Sequence, residues 1–132
     1  MTSIEIPYSI AAALPSLSVV DITNDVARAV AGADVEHGIA FVSPRHERAL
    51  VRINERESGI FEDLEALLER LVPSERDERE ALLSCLLGPG SEQIPIAEKR
   101  LCLGEWQRIL LVVFDSGCDP DWRLTLIGGG SN

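Results

Sequence analysis

The clearest periodicity in the chain runs through Ile60, Leu64, Leu67, Leu68 and Leu71, the spacing of one apolar helical face, and it stops at Leu71-Val72-Pro73. A second helix is predicted through Ala81, Leu82, Leu83, Leu86 and Leu87, led by Ser74 as a cap and ended by Gly88-Pro89-Gly90. A third, shorter one follows Thr23, which is placed to N-cap it, with Val26 and Val30 four apart and Gly32 as its stop. Elsewhere the alternation has period two. It predicts strands at Ser3 to Ile10, where Pro7 suits an edge, at Leu17 to Ile22 and at Gly38 to Ser43. The stretch FVSPRHERALVRINERES (41–58) continues as the next strand. A hairpin follows at Gln93 to Ala97 and Leu101 to Leu103, then a long strand from Trp106 to Asp115 and a closing one from Arg123 to Ile127. Gly128-Gly129-Gly130 reads as a frayed end.

Strands dominate and the helices are inserted between them, so the pattern predicts an α+β fold: a mostly antiparallel β-sandwich with two or three helices packed on it. At 132 residues the chain forms a single domain, 1–132. Both faces of the Trp106 to Asp115 strand are apolar, which sets it in the middle of the core or in a subunit interface.

The net charge of −10 argues against a nucleic-acid partner, because phosphate backbones would be repelled. The longest apolar run, Ile109 to Phe114, is far short of the roughly 20 residues a membrane helix needs. No basic segment precedes the apolar start of MTSIEIPYSIAAALP, so a cytoplasmic protein is expected. Cys85, Cys102 and Cys118 form no Cys-x-x-Cys pair and are expected as buried, reduced thiols.

Residues 41–58 carry more charge than a solvent face requires. Alternation sends His46, Arg48, Arg52 and Asn54 to one side and Ala49, Val51, Ile53 and Glu55 to the other. Arg45, Arg48 and Arg52 could grip a phosphate or carboxylate through guanidinium forks, or pair with Glu47, Glu55 or Glu57 on a neighbouring strand or subunit. Glu55 ends an apolar row, as a solvated or a partnered carboxylate. A zinc site commonly needs two or three imidazoles, and the chain owns only His37, expected in solvent, and His46. His46 with Glu55, Asp63 or Asp115 would instead suit a harder divalent metal such as Mg²⁺. Trp106 is expected in the core or on a pocket wall, and SERDERE as a solvated helical face.

The order of several elements is recognisable: Asp21-Ile22-Thr23 before a short helix, His46 eight residues before Asn54-Glu55, Asp63-Leu64 in the next helix, Leu71-Val72-Pro73, Leu86-Leu87-Gly88, Ile94-Pro95-Ile96, Leu103-Gly104-Glu105-Trp106-Gln107 and Phe114-Asp115. In combination this resembles the YjbQ-like family, small proteins also called secondary thiamine-phosphate synthase enzymes, over roughly Val20 to Gly128. The resemblance implies a homotrimer with a polar, metal-competent pocket near subunit contacts and a weak thiamine-phosphate-synthase-like activity on small phosphorylated substrates. By it, His46, Asn54, Glu55, Asp63 and Asp115 are the candidate catalytic residues, and Arg48, Arg52, Trp106 and Gln107 the candidate substrate-binding ones. The chain also departs from the family pattern. Glu47-Arg48 replaces a Thr-Thr pair after the histidine, no histidine lies between Pro73 and Gly88, and Asp115-Ser116-Gly117-Cys118 replaces an Asp-Gly-Pro-Arg turn, leaving Arg123 as the basic equivalent. These changes keep a rival open: a non-catalytic trimeric binding or assembly protein with a degenerate pocket.

Overall fold

A computed structural model describes residues 9–13, 17–114 and 120–130. Two four-stranded antiparallel sheets face each other, and helices cover the outside of one of them. The first sheet contains β1 (Ser9–Ala13), β2 (Ser18–Asp21), β7 (Arg108–Val113) and β4 (Ala49–Asn54), in that order. The second runs β6 (Arg100–Leu101), β5 (Glu92–Ala97), β3 (His37–Pro44) and β8 (Trp122–Gly129). This is the α+β sandwich that the alternation predicts.

Period two explains the core. Val20, Val51, Ile109, Leu111 and Val113 of the first sheet meet Ala40, Val42, Ile94 and Ile96 of the second, and α1 (Thr23–Gly32) adds Val26 and Val30 to the same cluster. The alternate residues Leu50, Leu110 and Val112 point outward, under Phe61 and Leu68 of α2 (Ser58–Leu71) and Leu83 of α3 (Arg79–Leu87). The first sheet is therefore covered on both faces, which is why β7 is apolar throughout. Among the described residues no helix covers the outer face of the second sheet, and Ile39 and Ile127 stand exposed on it, paired across β3 and β8.

Four local expectations change. Gly128 and Gly129 are not a frayed end but the last residues of β8, paired with Gly38 and His37. A Cβ on Gly38 would lie 2.1 Å from the Ile127 carbonyl oxygen, so this crossing requires glycine. Thr23 is the first helical residue, not a side-chain cap, because its hydroxyl is engaged with Asp21 and Ile109. Residues 74–78 of the SERDERE run form turns, and its Arg79, the first residue of α3, is buried, donating from Nε to the Val72 carbonyl at 2.8 Å. Cys85 and Cys102 are exposed rather than buried; Cys118 and the bulk of the predicted strand from Ser3 lie outside the described residues.

Candidate functional site

The strand predicted through residues 41–58 is broken in two. Pro44 ends β3, residues 45–48 form a turn, and Ala49 begins β4. His46 closes the turn by accepting the Arg48 N–H at Nδ1, 3.0 Å away, which leaves Nε2 to carry the proton of the neutral ring. Neighbouring elements hold the turn from three sides. Ser84 of α3 donates its hydroxyl to the Glu47 carbonyl at 3.0 Å, Phe114 donates its N–H to the Arg48 carbonyl, and Arg45 donates its N–H to the Asp121 carbonyl. A cleft of about 490 Å³ opens beside it. Its floor includes Ala49, Leu50 and Phe114, and its polar wall brings together Arg45, His46, Ser84, Ser91 and Arg123, with Glu47 the one acid among the described lining residues. Arg45 is 3.5 Å from the Asp121 carboxylate, but both side chains are half exposed, and such a pair holds weakly.

The other end of the same sheet carries a second cleft, of about 520 Å³, lined by Glu55, Arg56, Glu57, Glu105, Trp106 and Arg108. Behind it sits Asp21, only 3% exposed. Its carboxylate accepts the Thr23 N–H at 3.0 Å, the Thr23 hydroxyl at 2.7 Å and Arg108 Nε at 2.8 Å, with Arg56 3.7 Å away. The Thr23 oxygen in turn accepts the Ile109 N–H at 2.7 Å. Burial opposes the charge on Asp21, but the bonds from Arg108 and Thr23 outweigh it and hold the carboxyl below its usual pKa.

The residues proposed from the sequence divide between these places. His46 lines the first cleft, whereas Asn54 is the last residue of β4 and Glu55 follows it, about 17 Å along the strand at roughly 3.3 Å per residue. They do not converge within one chain. Asp63 is exposed on α2 and Asp115 lies outside the described residues. Arg48 sits in the turn. Arg52 is turned onto backbone carbonyls, those of Val51, Leu87 and Pro89, rather than held free for a substrate. Trp106 is neither core nor strand: it stands in a turn, 70% exposed, on the wall of the second cleft. Gln107 folds back to accept the Gly104 N–H at Oε1, 2.6 Å away, and so fixes that turn. Among the described residues no group of three or more histidines, cysteines, aspartates or glutamates is placed to hold a metal ion.

Asp21 and Arg108 were not singled out as site residues by pattern. The signal for Asp21 was present, since an aspartate two residues before a threonine at a helix start favours a local side-chain turn onto the backbone. Arg108 carried no such signal, because its partner is distant in sequence.

The family model described as UPF0047 protein YjbQ-like matches residues 11–128. The chain belongs to the YjbQ-like family. A UPF0047 protein of Archaeoglobus fulgidus is 34% identical over 107 residues, covering 75% of this chain and 82% of that protein. One from Methanothermobacter thermautotrophicus is 28% identical over 120 residues, covering 85% and 84%. The crystal structure of an uncharacterised YjbQ/UPF0047 protein from Clostridium acetobutylicum superposes with a TM-score of 0.77 at 29% identity, over 87% of this chain and 95% of that one. A protein of unknown function from Sulfolobus solfataricus gives 0.75 at 25% identity, over 92% and 93%. The YjbQ-like α+β sandwich is thus the fold of this chain.

Proposed function

We propose that this YjbQ-like protein binds a small phosphorylated molecule in the cleft beside His46. The observation that carries this reading is the lining itself. Arg45 and Arg123 both line this cleft, with a single acid, Glu47, among its described lining residues, in a chain whose net charge is −10. A local cationic excess inside an acidic protein concentrates anions where the guanidinium forks can hold them, and the loose Arg45–Asp121 pair gives way to a better acceptor. The apolar floor of Ala49, Leu50 and Phe114 suits the uncharged body of such a ligand, and the cleft volume falls in the range of small-molecule sites.

The family resemblance adds a reaction to this binding. In a thiamine-phosphate-synthase-like condensation, a thiazole nitrogen forms a bond to the pyrimidine methylene carbon while that carbon's bond to pyrophosphate oxygen breaks, the pyrophosphate leaving with the electron pair. Arg45 and Arg123 would stabilise that departing charge. The bond-forming thiazole nitrogen has no proton to lose, so a proton donor would serve the departing pyrophosphate oxygen; His46 borders this cleft and Glu55 borders the other, so Glu55 would take part only from a neighbouring copy. The homotrimer that the family resemblance implies is supported by the exposed apolar pair Ile39 and Ile127 on the outer face of the second sheet.

Calorimetric titration with inorganic pyrophosphate tests the binding. The wild type is expected to bind, and Arg123→Ala to bind about tenfold more weakly, the loss of one charge-assisted fork. Equal affinity in the two proteins contradicts the reading. Turnover of pyrimidine diphosphate and thiazole phosphate with Mg²⁺, wild type against His46→Ala, separates catalysis from binding: equal and negligible rates leave a binding protein only.

A further inference from the structure

Arg52 belongs to the middle of β4, yet its guanidinium serves a different element. One terminal nitrogen, Nη1, donates to the Val51 carbonyl at 2.8 Å and the Pro89 carbonyl at 2.9 Å, and the other, Nη2, donates to the Leu87 carbonyl. Leu87 is the last residue of α3, where the final carbonyls lack helical partners and the helix dipole ends negative. The last turn of α3 has no basic residue of its own, so Arg52 supplies the missing cation from across the fold. The loop that follows is held on the same strand, since Gly90 accepts the Val51 N–H at 2.7 Å. It also packs closely: a Cβ on Gly90 would sit 3.3 Å from Pro44 Cγ and 3.4 Å from the Ala49 carbonyl oxygen.

This clamp matters because of what it positions. Ser84, Gly88, Gly90 and Ser91 form one wall of the His46 cleft. Of the helix that begins this wall only Arg79 and Leu83 are fully buried, with Leu82 and Leu87 partly buried against the same cluster, so polar ties at its end add to a modest apolar hold on the sheet. We propose that Arg52 is a positioning residue: its fork fixes the end of α3 and the Gly88–Gly90 loop against β4, and so sets the width of the cleft between that wall and Arg45, His46 and Arg123. The effect on ligand affinity rests on the reading of the cleft as a phosphate site; the clamp itself does not. Lysine offers a compact point charge in place of a planar fork, and so restores the cation at the helix end without satisfying all three carbonyls.

The test uses the full chain, with Arg52→Met and Arg52→Lys beside Arg70→Met, an exposed arginine of α2 remote from the clamp. In the ligand-free proteins, amide exchange at Val51 and Gly88 should be about tenfold faster in Arg52→Met, with Arg52→Lys between, while Ile22 and Val26 keep wild-type rates. Pyrophosphate affinity should fall in the same order and stay at the wild-type value in Arg70→Met. Unchanged exchange at Val51 and Gly88 overturns the clamp, and faster exchange with unchanged affinity overturns its role in shaping the site. If Arg52→Met does not fold, Arg52→Lys alone decides, since it retains a cation beside Leu87. If the wild type binds no pyrophosphate, the phosphate reading fails and the exchange rates still decide the clamp.

Discussion

At the scale of single residues, the most strongly held polar group described is Asp21. A buried carboxylate is costly unless paired and hydrogen-bonded, and Asp21 is both, through Thr23 and Arg108. Removing one partner of such a set leaves the other charge uncompensated, so Asp21→Asn is expected to cost about 3–5 kcal/mol in urea denaturation at pH 7. The pH dependence follows from the lowered pKa. A carboxylate depressed in the folded state contributes its full stability above its unfolded pKa and loses it as pH falls through the folded one. Thermal midpoints of the wild type should therefore drop below about pH 4, and Asp21→Asn should show a shallower drop. An identical acid limb in both proteins would remove Asp21 from this role.

At the scale of elements, much of the fold was legible because periodicity reports burial directly. The α2 pattern ends at Leu71 in both sequence and structure, and the doubly apolar β7 is the strand covered on both faces. What could not be read was where alternation is interrupted by a turn. His46, Arg48, Arg52 and Asn54 share a parity only if one strand runs unbroken through residues 41–58, and the turn at 45–48 cancels that premise. The same break separates His46 from Glu55, so an assembled acid-base site was inferred where the chain has two clefts at opposite ends of one sheet. Trp106 illustrates a second limit. Its spacing matched the core row of β7, but the strand starts only at Arg108, and nothing local reveals that the preceding turn is tied by Gln107. Long-range partners, such as Arg52 for Leu87 and Arg108 for Asp21, leave no mark on local pattern at all.

At the scale of the whole molecule, the layers are asymmetric: helices cover one sheet, while the other presents Ile39 and Ile127 outward. If the proposed homotrimer forms through this face, replacing both residues with glutamate should shift the sedimentation mass from three chains to one without unfolding the chain; a three-chain mass in both proteins would move the interface elsewhere, and a one-chain mass in the wild type would remove the trimer. The second asymmetry is between the clefts, one lined by Arg45, His46 and Arg123, the other by three glutamates around Trp106 with two arginines beside the buried Asp21. The central claim is that a phosphorylated ligand chooses the first. Amide and indole NMR shifts during titration with inorganic pyrophosphate test it most directly. The account predicts saturable shifts at His46, Gly90, Ser91 and Arg123 while the Trp106 indole N–H stays fixed. Shifts centred on Trp106, or none at the His46 cleft, would contradict it.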